Sequence, residues 1–288
     1  MKKSFGIIGY GKLGKALAAK LSSIGRLEWV CSAGACDKVP QALHCYNKIT
    51  KLETVPDVIF ITKTDTLIKS TAEELSVHFG HRLKDKIIIH CSGIFSKDIL
   101  NSCEKYGAIR AAAHPYQTFY HIQENLFDNV HWAVDCSGNF DEIEEIIKLL
   151  NGVATNITSL DGFNNALYHV SAVIASNYMN TLIAIAGGTA QAAGINPADF
   201  LPAILRTTLE NNIKAQGNSK HEIPLTGPIV RGDILTIEKH IEALQGNKLL
   251  LESYCRLGIV TAEIAYSKGL VEDNTFQRIN KILTSNIN

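Results

Sequence analysis

The sequence has no surplus of either charge, with 28 Lys and Arg against 28 Asp and Glu in 288 residues. Tracking a nucleic-acid backbone or an anionic membrane surface takes a basic excess, so neither partner is expected and a small molecule fits better. No Cys-x-x-Cys occurs among the seven cysteines (31, 36, 45, 91, 103, 136 and 255). Met1-Lys2-Lys3 runs straight into a strand pattern, without the apolar core or cleavage site of a signal peptide. A reducing, cytoplasmic setting with free thiols is the expectation, and Cys91 reads as a buried apolar thiol.

Charge is missing altogether from Gly162 to Ala198. That stretch is long enough to span a bilayer. Asn164, Asn165, His169, Asn177, Asn180 and Gln191 interrupt it, however, and polar side chains at membrane depth are expensive without partners. A long helix buried within or between protein domains is the better account, and burial against a partner subunit makes a homodimer the expected assembly.

What is present is a chain too long for one core, which implies two domains. Residues 4–9, 27–31, 57–62, 86–91, 108–114 and 130–135 read as strands. Helical spacing marks Lys12 to Ser23 and Asp65 to Phe79. Continuous apolar runs alternating with helices indicate a parallel sheet covered on both faces, an α/β doubly wound Rossmann domain. After Glu142 the pattern turns helical, with helices expected near 141–151, 163–193, 197–216, 228–245 and 247–268. Pro197 and Pro228 suit first turns. The expected domains are 1–155, binding NAD(P), and an all-α substrate and dimerisation domain over 156–288.

Gly9-Tyr10-Gly11-Lys12-Leu13-Gly14 follows the first strand and opens the first helix. In that context Gly9 permits a tight turn, Gly11 lets backbone approach a pyrophosphate, and Gly14 allows close helix packing. An acidic residue at the end of the second strand would hold the ribose 2′-hydroxyl of NAD. Cys31-Ser32-Ala33-Gly34 stands there instead. That small polar turn admits a 2′-phosphate, with Ser32, the backbone at Ala33 and Lys38 as partners. NADP is therefore preferred, and Asp37 is the counter-candidate for NAD.

Ligands bind at the ends of parallel strands, which singles out Thr62-Lys63-Thr64-Asp65 and His90-Cys91-Ser92-Gly93. Asp65 reads as a helix cap. His114 ends a strand at the crevice edge, either supporting the site or touching substrate. His169, Val173 and Asn177 are spaced to share one helix face, either for helix–helix hydrogen bonds or as a stripe aimed at the nicotinamide. Thr226 is a candidate cap for the next helix. Arg231 reads either as a surface pair with Asp233 or as the fork that grips a carboxylate.

Taken jointly, Gly9–Gly14, Asp57–Asp65, His90–Gly93, His114-Pro-Tyr-Gln-Thr-Phe119, Tyr168-His169, Ser176-Asn177-Tyr178 and Leu225–Asp233 resemble a family of Rossmann-like proteins with a C-terminal helical domain long described as of unknown function. The family looks related to ketopantoate reductase, pyrroline-5-carboxylate reductase and prephenate dehydrogenase. Some members serve as an alternative ketopantoate reductase in pantothenate synthesis. The resemblance implies an NADPH-dependent reductase of a small 2-oxo acid, ketopantoate first, without a metal. His169 would be the proton donor, Asn177 would orient the carbonyl, Ser92 and His114 would line the site, and Arg231 would hold the carboxylate. Ordinary ketopantoate reductases carry a catalytic lysine four residues before the asparagine, where this chain has Val173. A pyrroline-5-carboxylate-type imine reductase and a non-catalytic NADP-binding redox sensor are the rival readings.

Overall fold

The computed structural model describes residues 2–34, 36, 39–40, 43–123, 125–217 and 223–287. It divides into two compact units, Met1–Met179 and Asn180–Asn288. The boundary expected near 155 falls at the last strand, whereas compactness divides the chain inside the long helix, at Met179.

The first unit is built on one eight-stranded sheet in the order β3-β2-β1-β4-β5-β6-β7-β8. The strands are β1 (Phe5–Ile8), β2 (Leu27–Cys31), β3 (Cys45–Tyr46), β4 (Val58–Ile61), β5 (Ile87–His90), β6 (Ile109–Pro115), β7 (His131–Cys136) and β8 (Val153–Asn156). Strands β1 to β6 pair in parallel, β7 is antiparallel to β6, and β8 is parallel to β7. Alternation along the central strands divides the core between two faces. Phe5, Ile7, Phe60, Ile87 and Ile89 pack with Leu17 and Leu21 of α1 (Lys12–Ser23) and with α4 (Phe140–Leu149). Ile8, Ile59, Ile61 and Ile88 pack with Ile68, Ala72 and Leu75 of α2 (Asp65–Phe79) and with the short α3 (Asn101–Glu104). A strand covered on both faces has no solvent side to mark, which is why these runs are continuously apolar.

Besides the four-residue α3, three longer-range elements among the described residues escaped the pattern. β3 has two residues, β8 reads Val-Ala-Thr-Asn, and α10 (Asp273–Thr284) buries only Phe276, Ile279 and Leu283 along a largely polar sequence. Two of the seven cysteines depart from the expected free thiols: Cys36 and Cys45 form a disulfide with Cα atoms 5.6 Å apart. The pairing of β3 with β2 carries Cys45 beside the turn that follows β2, so the bridge needs no Cys-x-x-Cys spacing.

The expected helix over 163–193 is interrupted. α5 (Asn165–Val173) passes through a π turn (Ile174–Tyr178) into α6 (Met179–Ala192). The extra residue in a π turn rotates the succeeding side chains by about 100° relative to an α-helical register, so His169, Val173 and Asn177 do not form one continuous stripe. Nor does the chain bury this helix: none of its residues is buried, and Asn165–Ala192 is long and apolar enough to cross a membrane.

Within the second unit, α8 (Ile234–Leu244), α9 (Lys248–Ser267) and α10 close on a core of Ile237, Ile241, Cys255, Ala265, Ile279 and Leu283. α7 (Pro197–Gln216) takes Pro197 in its first turn as expected. α8 does not start at Pro228. Asp233 caps it, accepting from Thr236 N at 3.2 Å and from Thr236 Oγ1 at 2.7 Å, so neither Pro228 nor Thr226 opens the helix.

Candidate active site

Gly9 has φ +113°, a backbone conformation that L side chains rarely adopt, and a Cβ there would come within 2.9 Å of the Thr62 carbonyl. Gly14 sits where α1 crosses the end of β1, and a Cβ on it would overlap the Gly9 carbonyl oxygen and reach Thr62 Oγ1 at 2.7 Å. Thr62 Oγ1 donates to that same carbonyl at 3.0 Å, fastening the loop to the end of β4. Gly11 differs from both, because among the described residues nothing lies within 4 Å of where its side chain would be. It is also the N-cap of α1, where no side-chain acceptor takes up the free N–H groups of the first turn. Open space beside uncapped amides is what a pyrophosphate requires.

Tyr10 and Leu13 lean on the core, and Lys12 opens α1 with its ammonium 4.9 Å from the centre of the Tyr120 ring. At the end of β2, Ser32 is buried with its N–H donating to the Tyr46 carbonyl at 2.8 Å, while Ala33 is exposed. Asp37 and Lys38, the rival partners for the ribose, lie outside the described residues. Lys63 and Thr64 connect β4 to α2. The N-cap there is Thr64, which makes no side-chain capping bond, and Asp65 is the first helical residue rather than the cap.

Beyond β5 the chain is held by a fully buried histidine. His90 Nε2 donates to the Ser96 carbonyl at 3.0 Å, and its Nδ1 accepts from Ser92 N at 3.2 Å, which fixes one neutral tautomer. Burial holds its pKa below the usual histidine range, in agreement with that role. Ser92 is buried too, and its Oγ accepts from Ile94 N at 3.2 Å, so its hydroxyl shapes the turn.

Gly93 is the floor of a histidine pair. A Cβ here would fall 2.6 Å from His169 Nδ1 and 3.1 Å from His114 Nε2, so only glycine lets both imidazoles approach. The two rings stand edge to face with centroids 5.7 Å apart. His114 Nδ1 pairs with the Tyr168 hydroxyl at 3.1 Å. Burial first, and the neighbouring His169 second, push the His114 pKa down to about 4, so it is neutral at neutral pH. Desolvation pushes the Tyr168 phenol up, keeping it a proton-bearing donor to that imidazole. His169 Nδ1 is buried and has no hydrogen-bond partner. Buried polar atoms are usually paired; Ser102 Oγ, Arg110 Nε and Trp132 Nε1 are unpaired as well, and His169 differs from them in facing a second imidazole, His114 at the end of β6.

Helix α5 is latched to this edge. Tyr116 Oη donates to Ser171 Oγ at 2.8 Å, and Ser171 Oγ donates to the Tyr168 carbonyl at 2.6 Å. Ser92, His114 and His169 thus converge at the ends of β5 and β6. Asn177 is exposed on the π turn, with its Oδ1 accepting from Ser176 Oγ at 2.8 Å. Arg231 belongs to the second unit, where its guanidinium is 3.9 Å from the Asp233 carboxylate and largely exposed. Gly93 stood in the strand-end stretch His90–Gly93 and Tyr168 beside His169 in the motifs of the resemblance, but neither was assigned a role at the histidine pair. Their signal was adjacency: Gly93 to Ser92, and Tyr168 to His169, one step round the helix.

Residues 131–261 match the family model described as "Domain of unknown function (DUF2520)". Compared by sequence with curated proteins, the chain matches none. Among solved structures it is similar to protein BF3122 of Bacteroides fragilis, with 17% identity over 85% of this chain and 92% of that one and a TM-score of 0.68. It is similar to a reductive aminase from Aspergillus terreus in complex with NADPH and ethyl levulinate (13% identity, 99% and 93% coverage, TM-score 0.59). A pyrroline-5-carboxylate reductase from Coxiella burnetii gives 12% identity, 100% coverage of both chains and a TM-score of 0.57. At such identities the likeness establishes the fold: a Rossmann-like α/β domain followed by a helical domain.

Proposed function

We propose that the protein is an NADPH-dependent reductase of a small 2-oxo acid, with ketopantoate the first candidate. The observation that carries this reading is the unpartnered, buried nitrogen of His169 at the strand ends that a dinucleotide on the glycine loop would face. NADPH supplies the hydride when bound. Gly9, Gly11 and Gly14, with the first turn of α1 from Lys12, hold the pyrophosphate, and the Ser32-Ala33 turn takes the 2′-phosphate. Thr62, Lys63, Thr64 and Ser92, after β4 and β5, would border the nicotinamide half on the other side of β1.

His169 provides the proton that the developing alkoxide needs. His114 is the weaker candidate because its environment disfavours the imidazolium, and a proton on either ring disfavours one on the other. His114 therefore positions: it receives the Tyr168 hydroxyl and packs edge to face against His169. Asn177 and Arg231 remain proposals for carbonyl and carboxylate contacts, and the bare apolar helix Asn165–Ala192 is assigned to the interface of a cytoplasmic homodimer.

The resemblance in fold to pyrroline-5-carboxylate reductase keeps a cyclic imine acid as the second reading, since protonation by His169 serves an imine equally well. Purified protein given NADPH or NADH with ketopantoate, other 2-oxo acids and pyrroline-5-carboxylate decides between them. Loss of NADPH absorbance with 2-oxo acids is the expected result, and oxidation only with the imine ends the 2-oxo acid proposal. Tight NADPH binding with no turnover on any of these compounds identifies a redox sensor.

A further inference from the structure

Next to the histidine pair a cavity of about 580 Å³ opens over β7 and β8. Tyr168 belongs to both places: its ring lines the cavity, and its hydroxyl reaches His114. The walls are mostly apolar, with Ala133 on the sheet, Ile157 and Leu160 after β8, and the aromatic rings of Tyr116, Phe163 and Tyr168. Those rings form a continuous tilted array, with Tyr116 to Tyr168 at 5.2 Å and Phe163 to Tyr168 at 5.5 Å between centroids. Among the described residues Asp128 is the one carboxylate in the lining, it accepts from Asn151 Nδ2 at 2.7 Å, and no Lys or Arg is present there to receive an anion.

Strand order decides what enters. The glycine loop leaves β1, the histidine pair sits at the end of β6, and the cavity lies beyond it on β7 and β8. A dinucleotide reaching from β1 toward β6 occupies the near side of the histidines. The part of the substrate that is not reacting has the far side. A volume of this size is within the usual range for small-molecule sites, and it greatly exceeds what a methyl group needs.

We propose that this cavity receives the substituent on the reacting carbon and selects an aromatic one, which places a 2-oxo acid bearing an aryl side chain ahead of ketopantoate as the preferred substrate. The proposal rests on the reductase reading above. The carboxylate stays outside, kept from the lining by Asp128 and by the absence of Lys and Arg among the lining's described residues, where exposed His131 is the one imidazole, while the ring lies against Tyr116, Phe163 and Tyr168. Burying a phenyl ring in such a site favours it over a methyl group by about 10- to 100-fold in kcat/KM.

The test compares NADPH oxidation with phenylpyruvate, ketopantoate and pyruvate in the full-length protein and in Ala133→Phe and Leu160→Trp, each of which narrows the cavity. Thermal melts confirm that the variants fold, and Leu160 lies in an exposed loop where a larger side chain does not strain the core. Binding of non-reducible 3-phenylpropanoate, compared with propanoate by ligand-detected NMR, gives a readout independent of turnover. The expected result is a phenylpyruvate preference of about 10-fold or more that collapses in the narrowed variants, with loss of phenylpropanoate binding. Equal kcat/KM for phenylpyruvate and pyruvate, or a preference that survives both replacements, overturns the cavity assignment while the reductase reading stands. Absence of turnover with every 2-oxo acid and imine overturns the reductase reading and this assignment with it.

Discussion

His114 and His169 share a floor at Gly93, and burial lowers the pKa of His114. An unfolded chain protonates His114 near pH 6.5, whereas the folded site holds off the proton to about pH 4. Between those values the unfolded state binds the extra proton, so the stability due to the neutral ring is complete above pH 6.5 and drains away as the pH falls toward 4. At roughly 1.4 kcal/mol per pH unit, this amounts to something on the order of 3 kcal/mol. Urea unfolding at neutral pH and at about pH 5 should therefore differ by about 2 kcal/mol, and His114→Asn should shrink the difference. Buried His90, also shifted down, acts in the same direction, so some dependence survives in that variant. His169 carries the other prediction at this scale. His169→Gln keeps a polar group of similar reach without a transferable proton, and kcat is expected to fall by about 10²- to 10⁴-fold while NADPH affinity is retained. Steady-state turnover beside a direct binding titration checks this, and undiminished turnover removes His169 as the proton donor.

At the level of elements, the glycine loop separates packing from recognition. Gly14→Ala drives a Cβ into the Gly9 carbonyl and Thr62, so it should cost about 2 kcal/mol or more of stability together with cofactor binding. Gly11→Ala meets empty space and should leave the melting temperature in place while weakening NADPH by about 10-fold or more, because its methyl stands where backbone meets pyrophosphate. Melting curves and NADPH titrations of the two variants distinguish these outcomes, and equal destabilisation by both refutes the distinction. The sheet and this loop were legible because each rests on local, periodic or stereochemical rules: buried strands show as apolar runs, and a turn followed by a helix shows as glycines. What escaped was set by partners distant in sequence. β8 and β3 exist because a neighbouring strand offers hydrogen bonds to segments with little preference of their own. The Cys36–Cys45 bridge follows from that same pairing. The π turn at Ile174–Tyr178 has no composition cue among uncharged residues, so Asn177 seemed to share a face with His169. Among the site residues, His169, His114 and Ser92 were legible as polar groups at strand ends or on an apolar helix, whereas Tyr168 gains its meaning only from the histidine it meets across 54 residues of sequence.

For the whole molecule the outstanding feature is the helix Asn165–Ala192, with mean hydropathy 1.3 and none of that window buried by its own chain. Soluble monomers rarely leave so large an apolar surface in water, and a face of this kind marks a partner or a membrane. Two considerations favour a second copy of the chain. Polar side chains at Asn180 and Gln191 recur along the helix, and burying them in a lipid core is expensive. The segment Asn165–Ser171 is also tied by side-chain hydrogen bonds to the end of a Rossmann sheet, at His114 and Tyr116. A symmetric dimer burying a total of about 1,600 Å² or more would cover the apolar face. Purified without detergent, the protein should therefore elute as a dimer by light scattering, with a melting temperature that rises with concentration as expected when folding and association are linked. Leu182, exposed on α6, tests the location: Leu182→Lys should shift the protein to monomer or aggregate and lower its melting temperature. A monomer that stays soluble and melts independently of concentration would sink the dimer, and recovery only in the detergent fraction would assign the helix to a membrane instead.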